Sequence, residues 1–308
     1  MMPTNPSELR ERLRGLLAFP VTPFTESNEV DIERYRSHLQ FILAAAPAAL
    51  FVCGGTGEFF SLGLPEYSQL VKIAVEEARG RIPVIAGAGY GIPLALEFAR
   101  AAESAGADGL LLMPPYLVQA EQEGLYQHYR SIALATNLGV IIYQRDNAIF
   151  APSTMRRLAE IPSLVGFKDG YGDMERLGRI RLAVGERLAF MNGMPTAELS
   201  ALAFRGLGIG SYSSAVLNFV PEISHAFYKA LTEGNSSLLE RLLDGFYRPF
   251  AELRERKKGY AISLIKAGVN LTGRPVGCAR PPLVNPSDGE LSELKSIIEK
   301  GRALLSTA

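Results

Sequence analysis

Short apolar runs alternate along the chain with longer segments in which apolar residues recur at helical spacing. Eight of these runs have the length and composition of β-strands, and a helical segment separates each run from the next. This alternation is typical of parallel strands joined by crossover helices. The predicted strands cover residues 16–19, 49–53, 84–88, 109–113, 139–143, 165–168, 188–191 and 208–211.

Eight strand–helix units favour a closed (β/α)8 TIM barrel, and a chain of 308 residues suits one such barrel with a short addition. The competing architecture is a doubly wound open sheet, which usually carries a glycine fingerprint after its first strand. Here the first predicted strand leads into the segment PVTPF instead. We therefore predict a barrel over residues 1–233.

The alternation of strands and helices stops after residue 233. Three helical stretches remain, over residues 236–256, 260–270 and 288–306, and no strand-like run separates them. Residues 234–308 are therefore predicted to form a C-terminal helical appendage that packs on the barrel.

Composition and charge narrow the range of partners. The 32 basic and 32 acidic residues balance, so the chain lacks the broad basic surface that nucleic acid or an anionic membrane attracts. Its two cysteines, Cys53 and Cys278, form neither a disulfide framework nor a zinc-binding pattern. The amino terminus lacks the apolar centre of a signal peptide, and the apolar runs are too short to span a membrane. We expect a cytoplasmic protein that binds neither nucleic acid nor membranes.

Lys168 ends the predicted strand LVGFK, and the active sites of such barrels lie where the strands end. At that position the amine would be partly removed from water. Burial disfavours the ammonium form, and a neutral lysine can attack a ketone to form an imine. The alternative interpretation is a surface lysine that starts a loop and pairs with Asp169.

Two further candidate side chains lie at the end of the preceding predicted strand, GVIIY: Tyr143 is its last residue, and Arg145 follows two residues later. Tyr143 could transfer protons during imine formation, although a buried tyrosine can also be a packing residue with a satisfied hydroxyl group. Arg145 could hold a carboxylate through two parallel hydrogen bonds, or it could form a salt bridge with Asp146.

Glycine, amide and hydroxyl residues follow three other predicted strands. The loop CGGTGEFFSL contains Gly55 and Thr56, whose backbone N–H and hydroxyl groups could bind an anion. Asn192 follows the seventh strand, and Ser211 and Ser213 belong to the segment GSYSSAV around the end of the eighth. These groups could bind a polyhydroxy acid, but turns rich in glycine and serine are also common without any ligand.

Several chemistries lack a signature in this sequence. The histidines His38, His128 and His225 lie in predicted helices without metal-ligand spacing, so we predict no metal site. No GxSxG elbow, Walker loop or dinucleotide fingerprint occurs. Lysine chemistry without a cofactor is the remaining prediction.

Five segments together resemble the dihydrodipicolinate synthase and N-acetylneuraminate lyase superfamily, and the likeness covers nearly the whole chain. These segments are GLLAFPVTPF, GGTGEFFSL, PPYLVQAEQEGLYQHY, VIIYQRDN and LVGFKDGYGD. Within the superfamily, YQRDN and GFKDGYGD are most similar to the 5-dehydro-4-deoxyglucarate dehydratase branch.

The resemblance implies roles for four positions. The imine-forming lysine of the superfamily corresponds to Lys168, and its proton-shuttling tyrosine corresponds to Tyr143. The GTTGE loop, which holds the carboxylate of a 2-oxo acid, corresponds to residues 55–58, where Thr56 takes the main role. A second tyrosine, which crosses a dimer interface in the synthases, corresponds to Tyr116, although the usual PYY is PYL here.

One departure from the synthases concerns the substrate. Their Y-N-x-P segment is replaced here by YQRDN, which argues against a pocket for aspartate semialdehyde. An arginine at position 145, near the barrel mouth, would instead suit the distal carboxylate of a longer diacid.

The resemblance therefore implies a decarboxylating dehydratase that converts 5-dehydro-4-deoxyglucarate to 2,5-dioxopentanoate, CO₂ and water. The reaction would run through a Schiff base on Lys168, without metal or cofactor. Because relatives are commonly dimers of dimers, we also expect a homo-oligomer. Two alternatives stay open: a pyruvate-dependent aldolase of the same superfamily, and a catalytically idle barrel that binds a small acid.

Overall fold

The computed structural model describes residues 4–306 and contains a closed barrel of eight parallel strands. Each strand pairs with its neighbour in sequence, and β1 pairs with β8 to close the barrel. The strands are β1 (Leu16–Ala18), β2 (Ala49–Val52), β3 (Val84–Ala88), β4 (Gly109–Leu112), β5 (Gly139–Gln144), β6 (Leu164–Asp169), β7 (Ala189–Asn192) and β8 (Ser211–Ser214). The prediction of a (β/α)8 barrel is confirmed.

Helices surround the barrel and continue beyond it. The first nine are α1 (Pro6–Arg12), α2 (Ile32–Ala44), α3 (Leu64–Ala78), α4 (Ile92–Ala105), α5 (Gln122–Ala133), α6 (Pro152–Leu158), α7 (Met174–Val184), α8 (Ala201–Gly206) and α9 (Pro221–Glu233). The C-terminal region contributes α10 (Ser236–Leu242), a π-helical segment (Leu243–Tyr247), α11 (Arg248–Glu255), α12 (Tyr260–Leu271) and α13 (Asp288–Ser306). Several of these helices begin with proline in the first turn, where its missing N–H has no partner to lose.

Seven predicted strands agree with the structure to within one residue at each end, but the eighth does not. It was predicted over residues 208–211 and is found at Ser211–Ser214, three residues later. Ser211 therefore begins β8, whereas the sequence analysis took it to end that strand.

The amino-terminal half of the barrel interior is apolar and closed. α1 lies across this end, and its Leu9 is fully buried together with Leu13. The close fit needs glycine on the strands above it, since a Cβ on Gly139 would lie 2.6 Å from Leu9 Cδ2. The inward-facing apolar residues packed above α1 include Leu17, Ala49, Phe51, Ile85, Leu111, Ile141, Val165 and Met191. Ligands can therefore reach the barrel interior only from the opposite end.

An irregularity in β6 determines which of its side chains face inward. Val140 of β5 pairs with Leu164, but Ile141 pairs with Gly166, so β6 has one extra residue at this point. Val165 faces the interior and Phe167 the helices. Without the extra residue, strict alternation from Val165 would turn Lys168 outward. The bulge thus directs Lys168 into the barrel, where it pairs in register with Tyr143.

The C-terminal helices pack around α9 and the ends of the barrel. α10, the π-helical segment and α11 run on without a break, and Pro249 lies just after the widened turn. Proline cannot donate the hydrogen bond of a regular turn, which accounts for the local widening. α13 lies against this segment, where Gly301 lets Phe246 approach closely. Within residues 4–306, no helix is long and apolar enough to cross a membrane.

Candidate active site

A cavity of about 670 Å³ opens at the carboxyl-terminal end of the barrel strands. This volume is within the usual range for small-molecule sites. The cavity is lined by strand ends, by the loops that follow them, and by the turn between α11 and α12. Of the residues predicted from the sequence, those that line it are Gly55, Thr56, Tyr116, Tyr143, Arg145, Lys168 and Ser213.

Lys168 and Tyr143 form the floor of this cavity. The side chains come from neighbouring strands in direct register, and both are more than nine-tenths buried. Lys168 Nζ lies 3.7 Å from the centre of the Tyr143 ring and 5.0 Å from that of Phe19. Among residues 4–306, no carboxylate forms an ion pair with the amine, and Asp169 faces away from the cavity and accepts a hydrogen bond from Gln144 at 2.7 Å. The alternative of a surface lysine paired with Asp169 is therefore wrong.

Burial and charge shift both groups toward reactive forms. Burial lowers the pKa of Lys168, and the neighbouring Tyr143 opposes this only in part. Burial raises the pKa of Tyr143, but the positive charges of Lys168 and Arg145 lower this pKa by a larger amount, so the net shift is downward. A less basic amine and a more acidic phenol can exchange a proton more readily than isolated side chains can.

Gly193 fixes the position of this pair from the β7 side. Its carbonyl oxygen accepts a hydrogen bond from the Tyr143 hydroxyl at 3.0 Å and from Lys168 Nζ at 3.5 Å. Only a glycine fits here, because a Cβ would lie 2.7 Å from Lys168 Nζ and 3.0 Å from Tyr143 Cε2. This function of Gly193, the residue after the predicted contact Asn192, was not predicted from the sequence.

The loop after β2 brings Gly55 and Thr56 to the cavity wall. Its last residue, Glu58, points the other way and is fully buried in the left-handed conformation. Glu58 Oε1 lies 2.6 Å from Lys266 Nζ of α12, and Oε2 accepts a hydrogen bond from the Arg280 backbone at 3.0 Å. This buried ion pair attaches the Thr56 loop to the C-terminal region.

Arg145 and Tyr116 lie at the rim of the cavity. The Arg145 guanidinium is 5.9 Å from the Tyr143 ring and forms an ion pair with Asp146 at 2.9 Å. Tyr116 is 65% exposed and packs edge-on against Tyr90.

The loop that carries Tyr116 is held by Asn147, the last residue of YQRDN. Asn147 Nδ2 donates hydrogen bonds to the backbone oxygens of Pro115, at 2.7 Å, and Val118, at 2.5 Å. This role of Asn147 could not be predicted from the sequence, because the contact joins two loops about thirty residues apart.

Two predicted substrate contacts need correction. Ser211 begins β8 at the closed end of the barrel, where its hydroxyl accepts a hydrogen bond from the Gly15 backbone. Asn192 faces outward from β7, is 1% exposed, and donates to the oxygens of Ala197 and Ser200 in its own loop. Neither side chain lines the cavity, so the structure does not bring Ser211 or Asn192 together with the other predicted site residues.

The largest contribution that the sequence analysis missed comes from the C-terminal region. The turn between α11 and α12 forms one wall of the cavity, together with the start of α12. The cavity-lining residues from this region are Arg254, Glu255, Lys257, Lys258, Gly259, Tyr260, Ala261, Ile262, Ile265 and Leu283. The region expected as an appendage is thus part of the site.

No group of three or more histidine, cysteine, aspartate or glutamate side chains in residues 4–306 is arranged to hold a metal ion. Of the histidines, His38 is buried against Asn218, and His225 contacts the Ala45 backbone oxygen. Neither side chain lines the cavity.

Comparisons with known proteins agree with this geometry. A protein of Streptomyces avermitilis named "Probable 5-dehydro-4-deoxyglucarate dehydratase 1" is 52% identical over 296 residues, which cover 94% of both chains. A relative with the same activity in its name, from Bradyrhizobium diazoefficiens, is 47% identical and covers 100% of this chain and 98% of its own. The crystal structure of dihydrodipicolinate synthase from Oceanobacillus iheyensis superposes with a TM-score of 0.90 at 28% identity, covering 96% of this chain and 99% of that one.

A family model gives the same result at the level of the whole fold. The model of the dihydrodipicolinate synthetase family matches residues 12–301, which include all eight strands, the cavity and most of α13. The chain therefore belongs to the dihydrodipicolinate synthetase family.

Proposed function

We propose that this protein is a decarboxylating dehydratase that converts 5-dehydro-4-deoxyglucarate to 2,5-dioxopentanoate, CO₂ and water. The observation that carries the proposal is the buried Lys168 amine, held against Tyr143 in a cavity with a cationic rim. Relatives at about half identity over nearly the whole chain carry the name of this activity, which supports the choice of substrate.

In the first step the Lys168 amine attacks the C5 ketone of the substrate. Burial lowers the pKa of Lys168 and so favours the neutral amine, which the attack requires. Tyr143 gives a proton to the leaving oxygen, and water departs to leave a protonated imine. Tyr143 is well placed for this transfer, since its ring lies 3.7 Å from the amine.

The iminium then serves as the electron sink for two eliminations. Loss of a C4 proton to Tyr143 gives an enamine, which expels the C3 hydroxyl group as water. The resulting C3=C4 double bond is conjugated with the iminium, so the C1 carboxylate can leave as CO₂ and its electron pair moves toward nitrogen. Protonation and hydrolysis of the imine release 2,5-dioxopentanoate and regenerate Lys168. The water consumed in this hydrolysis balances the water released on imine formation.

Different residues are proposed to bind the two ends of the substrate. The C6 carboxylate, next to the ketone, is assigned to the Gly55 and Thr56 loop, whose backbone and hydroxyl line the cavity beside Lys168. Ser213 lines the same cavity and is assigned to a substrate hydroxyl group. Arg145 is assigned to the side of the distal carboxylate, with its charge reduced by Asp146 at 2.9 Å.

We further propose that the protein works as a homo-oligomer and that Tyr116 acts at an interface between copies. Tyr116, Leu117 and Val118 form an exposed apolar loop, with exposed fractions of 65%, 83% and 58%. An exposed group of apolar side chains at the rim of a cavity is typical of a surface that another protein chain contacts.

The experiment that tests the function is product analysis with 5-dehydro-4-deoxyglucarate. One equivalent each of CO₂ and 2,5-dioxopentanoate is the expected result. Pyruvate and a three-carbon aldehyde acid would show carbon–carbon cleavage instead and establish the aldolase alternative. Saturable binding with no product at all would establish the non-catalytic alternative.

A further inference from the structure

Five cationic side chains line the cavity, and they differ in whether each forms an ion pair with an acidic side chain. Lys168 is the amine at the floor. Arg145 is paired with Asp146 at 2.9 Å, and Arg254 with Glu255 at 2.6 Å. The remaining two cations, at positions 257 and 258, belong to the turn between α11 and α12.

This turn carries three successive cations, and two of them are bound to α13. Arg256 makes a bidentate pair with Glu293, with both N–O distances 2.7 Å. Lys257 Nζ lies 2.7 Å from Glu290. Lys258, the third, makes no ion pair or hydrogen bond within residues 4–306, and it lines the cavity.

The turn itself is fixed, which keeps Lys258 over the cavity. The contacts of Arg256 and Lys257 with α13 hold one side. Gly259, in the left-handed conformation, packs against Leu283 so closely that a Cβ would lie 2.8 Å from that side chain. An unpaired ammonium group on an anchored turn is available to an anionic ligand in a way that the paired cations are not.

We propose that Lys258, together with the partly neutralised Arg145, receives the distal carboxylate of the substrate and that its unpaired charge selects six-carbon diacids over mono-acids of equal length. This inference rests on the proposed function, because it takes the substrate to carry a second carboxylate. Lys168 and the Thr56 loop account for the keto-acid end of the molecule, and Lys258 is the further lining cation that has no acidic partner within residues 4–306.

The chemistry of decarboxylation suits a flexible, exposed lysine at this position. The carboxylate loses its charge as CO₂ forms, so an ion pair with it weakens in the transition state. A tightly held bidentate clamp would therefore stabilise the bound substrate more than the transition state and slow the step. An exposed lysine gives attraction of at most about 1 kcal/mol, equivalent to about fivefold, which aids binding with little penalty in kcat.

The test is Lys258→Gln, compared with Lys300→Gln as a matched control. Lys300 is exposed on α13 and does not line the cavity, so its removal changes net charge equally. Two ligands are used: 5-dehydro-4-deoxyglucarate, and the same 2-oxo acid with CH₂OH in place of the distal carboxylate. For each, the concentration that gives half-maximal borohydride trapping at Lys168 is measured.

The expected result is a rise of about threefold to fivefold in half-saturation for the diacid in Lys258→Gln, with no change for the mono-acid. Lys300→Gln should match the unmodified protein with both ligands, and kcat for CO₂ release should stay within about twofold in both variants. Equal effects on the two ligands, or none on either, would overturn the proposal. If the unmodified protein releases no CO₂, that result counts against the proposed function instead. Borohydride trapping at Lys168 still measures the preference for diacids in that case.

Discussion

Replacing Lys266 by methionine tests whether the buried ion pair with Glu58 holds the Thr56 loop to the C-terminal region. Both side chains are at most 1% exposed, and the charged atoms are 2.6 Å apart. Methionine keeps most of the apolar stem of Lys266 but leaves the Glu58 carboxylate with the Arg280 backbone N–H as its one partner among residues 4–306. It also removes the 2.8 Å hydrogen bond to the Cys278 backbone oxygen. Breaking one side of such a pair costs about 3–5 kcal/mol, so this loss is expected in the free energy of unfolding.

The magnitude is measured by urea unfolding of four proteins: the unmodified chain, Lys266→Met, Glu58→Gln and the double variant. A neutral glutamine side chain in place of Glu58 no longer requires a counter-charge, so the double variant should recover at least about 2 kcal/mol of what Lys266→Met loses. KM for the 2-oxo acid should rise in Lys266→Met, because Thr56 lies two residues from Glu58. If Lys266→Met loses less than about 1 kcal/mol, or if the two single losses simply add, the reasoning is refuted.

Three further predictions address the site and its surroundings. Tyr143→Phe keeps the ring but removes the proton-transfer group, and kcat should fall by roughly 100-fold or more; a fall below about tenfold would contradict the assignment. Gly193→Ala places a methyl group 2.7 Å from Lys168 Nζ, so kcat should fall at least about tenfold, whereas Gly206→Ala, where a Cβ meets open space, should change nothing measurable. Burial raises the pKa of Glu198 from 4.5 to about 7, so its stabilising effect is complete below pH 4.5 and is lost as the pH rises through 7. The free energy of unfolding of the unmodified protein should therefore fall between pH 4.5 and 8 by about 3 kcal/mol more than that of Glu198→Gln. Parallel profiles of unfolding free energy against pH would disprove the shift.

The regular alternation of the sequence was enough to predict the barrel, because each strand–helix unit follows local rules. β3 was located to the residue, and six other strands to within one residue at each end. β8 failed because its apolar pattern is weak: Ser213 faces the cavity, and Ser214 bonds to buried Glu198 at 2.7 Å. A strand whose polar residues have their partners elsewhere in the fold cannot be recognised from its local sequence pattern.

That single shift explains the wrong assignment of Ser211. A residue at the end of a barrel strand lies near the active site, and a residue at its start lies at the opposite end. Moving the strand by three residues therefore carried the Ser211 hydroxyl from the predicted cavity to the backbone of Gly15.

Lys168 and Tyr143 were located correctly in the cavity because they end long apolar strands. The means by which they meet was not predictable from the sequence. The bulge that turns Lys168 inward depends on the pairing of Val165 and Gly166 with β5, and the backbone of Gly193 reaches both side chains from β7.

The contribution of the C-terminal region also escaped sequence reasoning. The turn between α11 and α12 is about ninety residues beyond Lys168, and nothing in its local pattern indicates a cavity wall. Charged residues in a turn normally face solvent. Lys258 differs from its neighbours because Arg256 and Lys257 are paired with acidic residues of α13, and those contacts are visible only in the structure.

Reduction of the protein with borohydride in the presence of 5-dehydro-4-deoxyglucarate, followed by mass analysis of its peptides, shows directly whether the reaction runs through a Schiff base on Lys168. One covalent adduct is expected, on Lys168, and its mass should show the loss of both CO₂ and water from the substrate. Lys266 is an internal control, because it is also buried but is paired with Glu58 and should stay unmodified. No adduct, or an adduct on any lysine other than Lys168, would contradict the proposed mechanism.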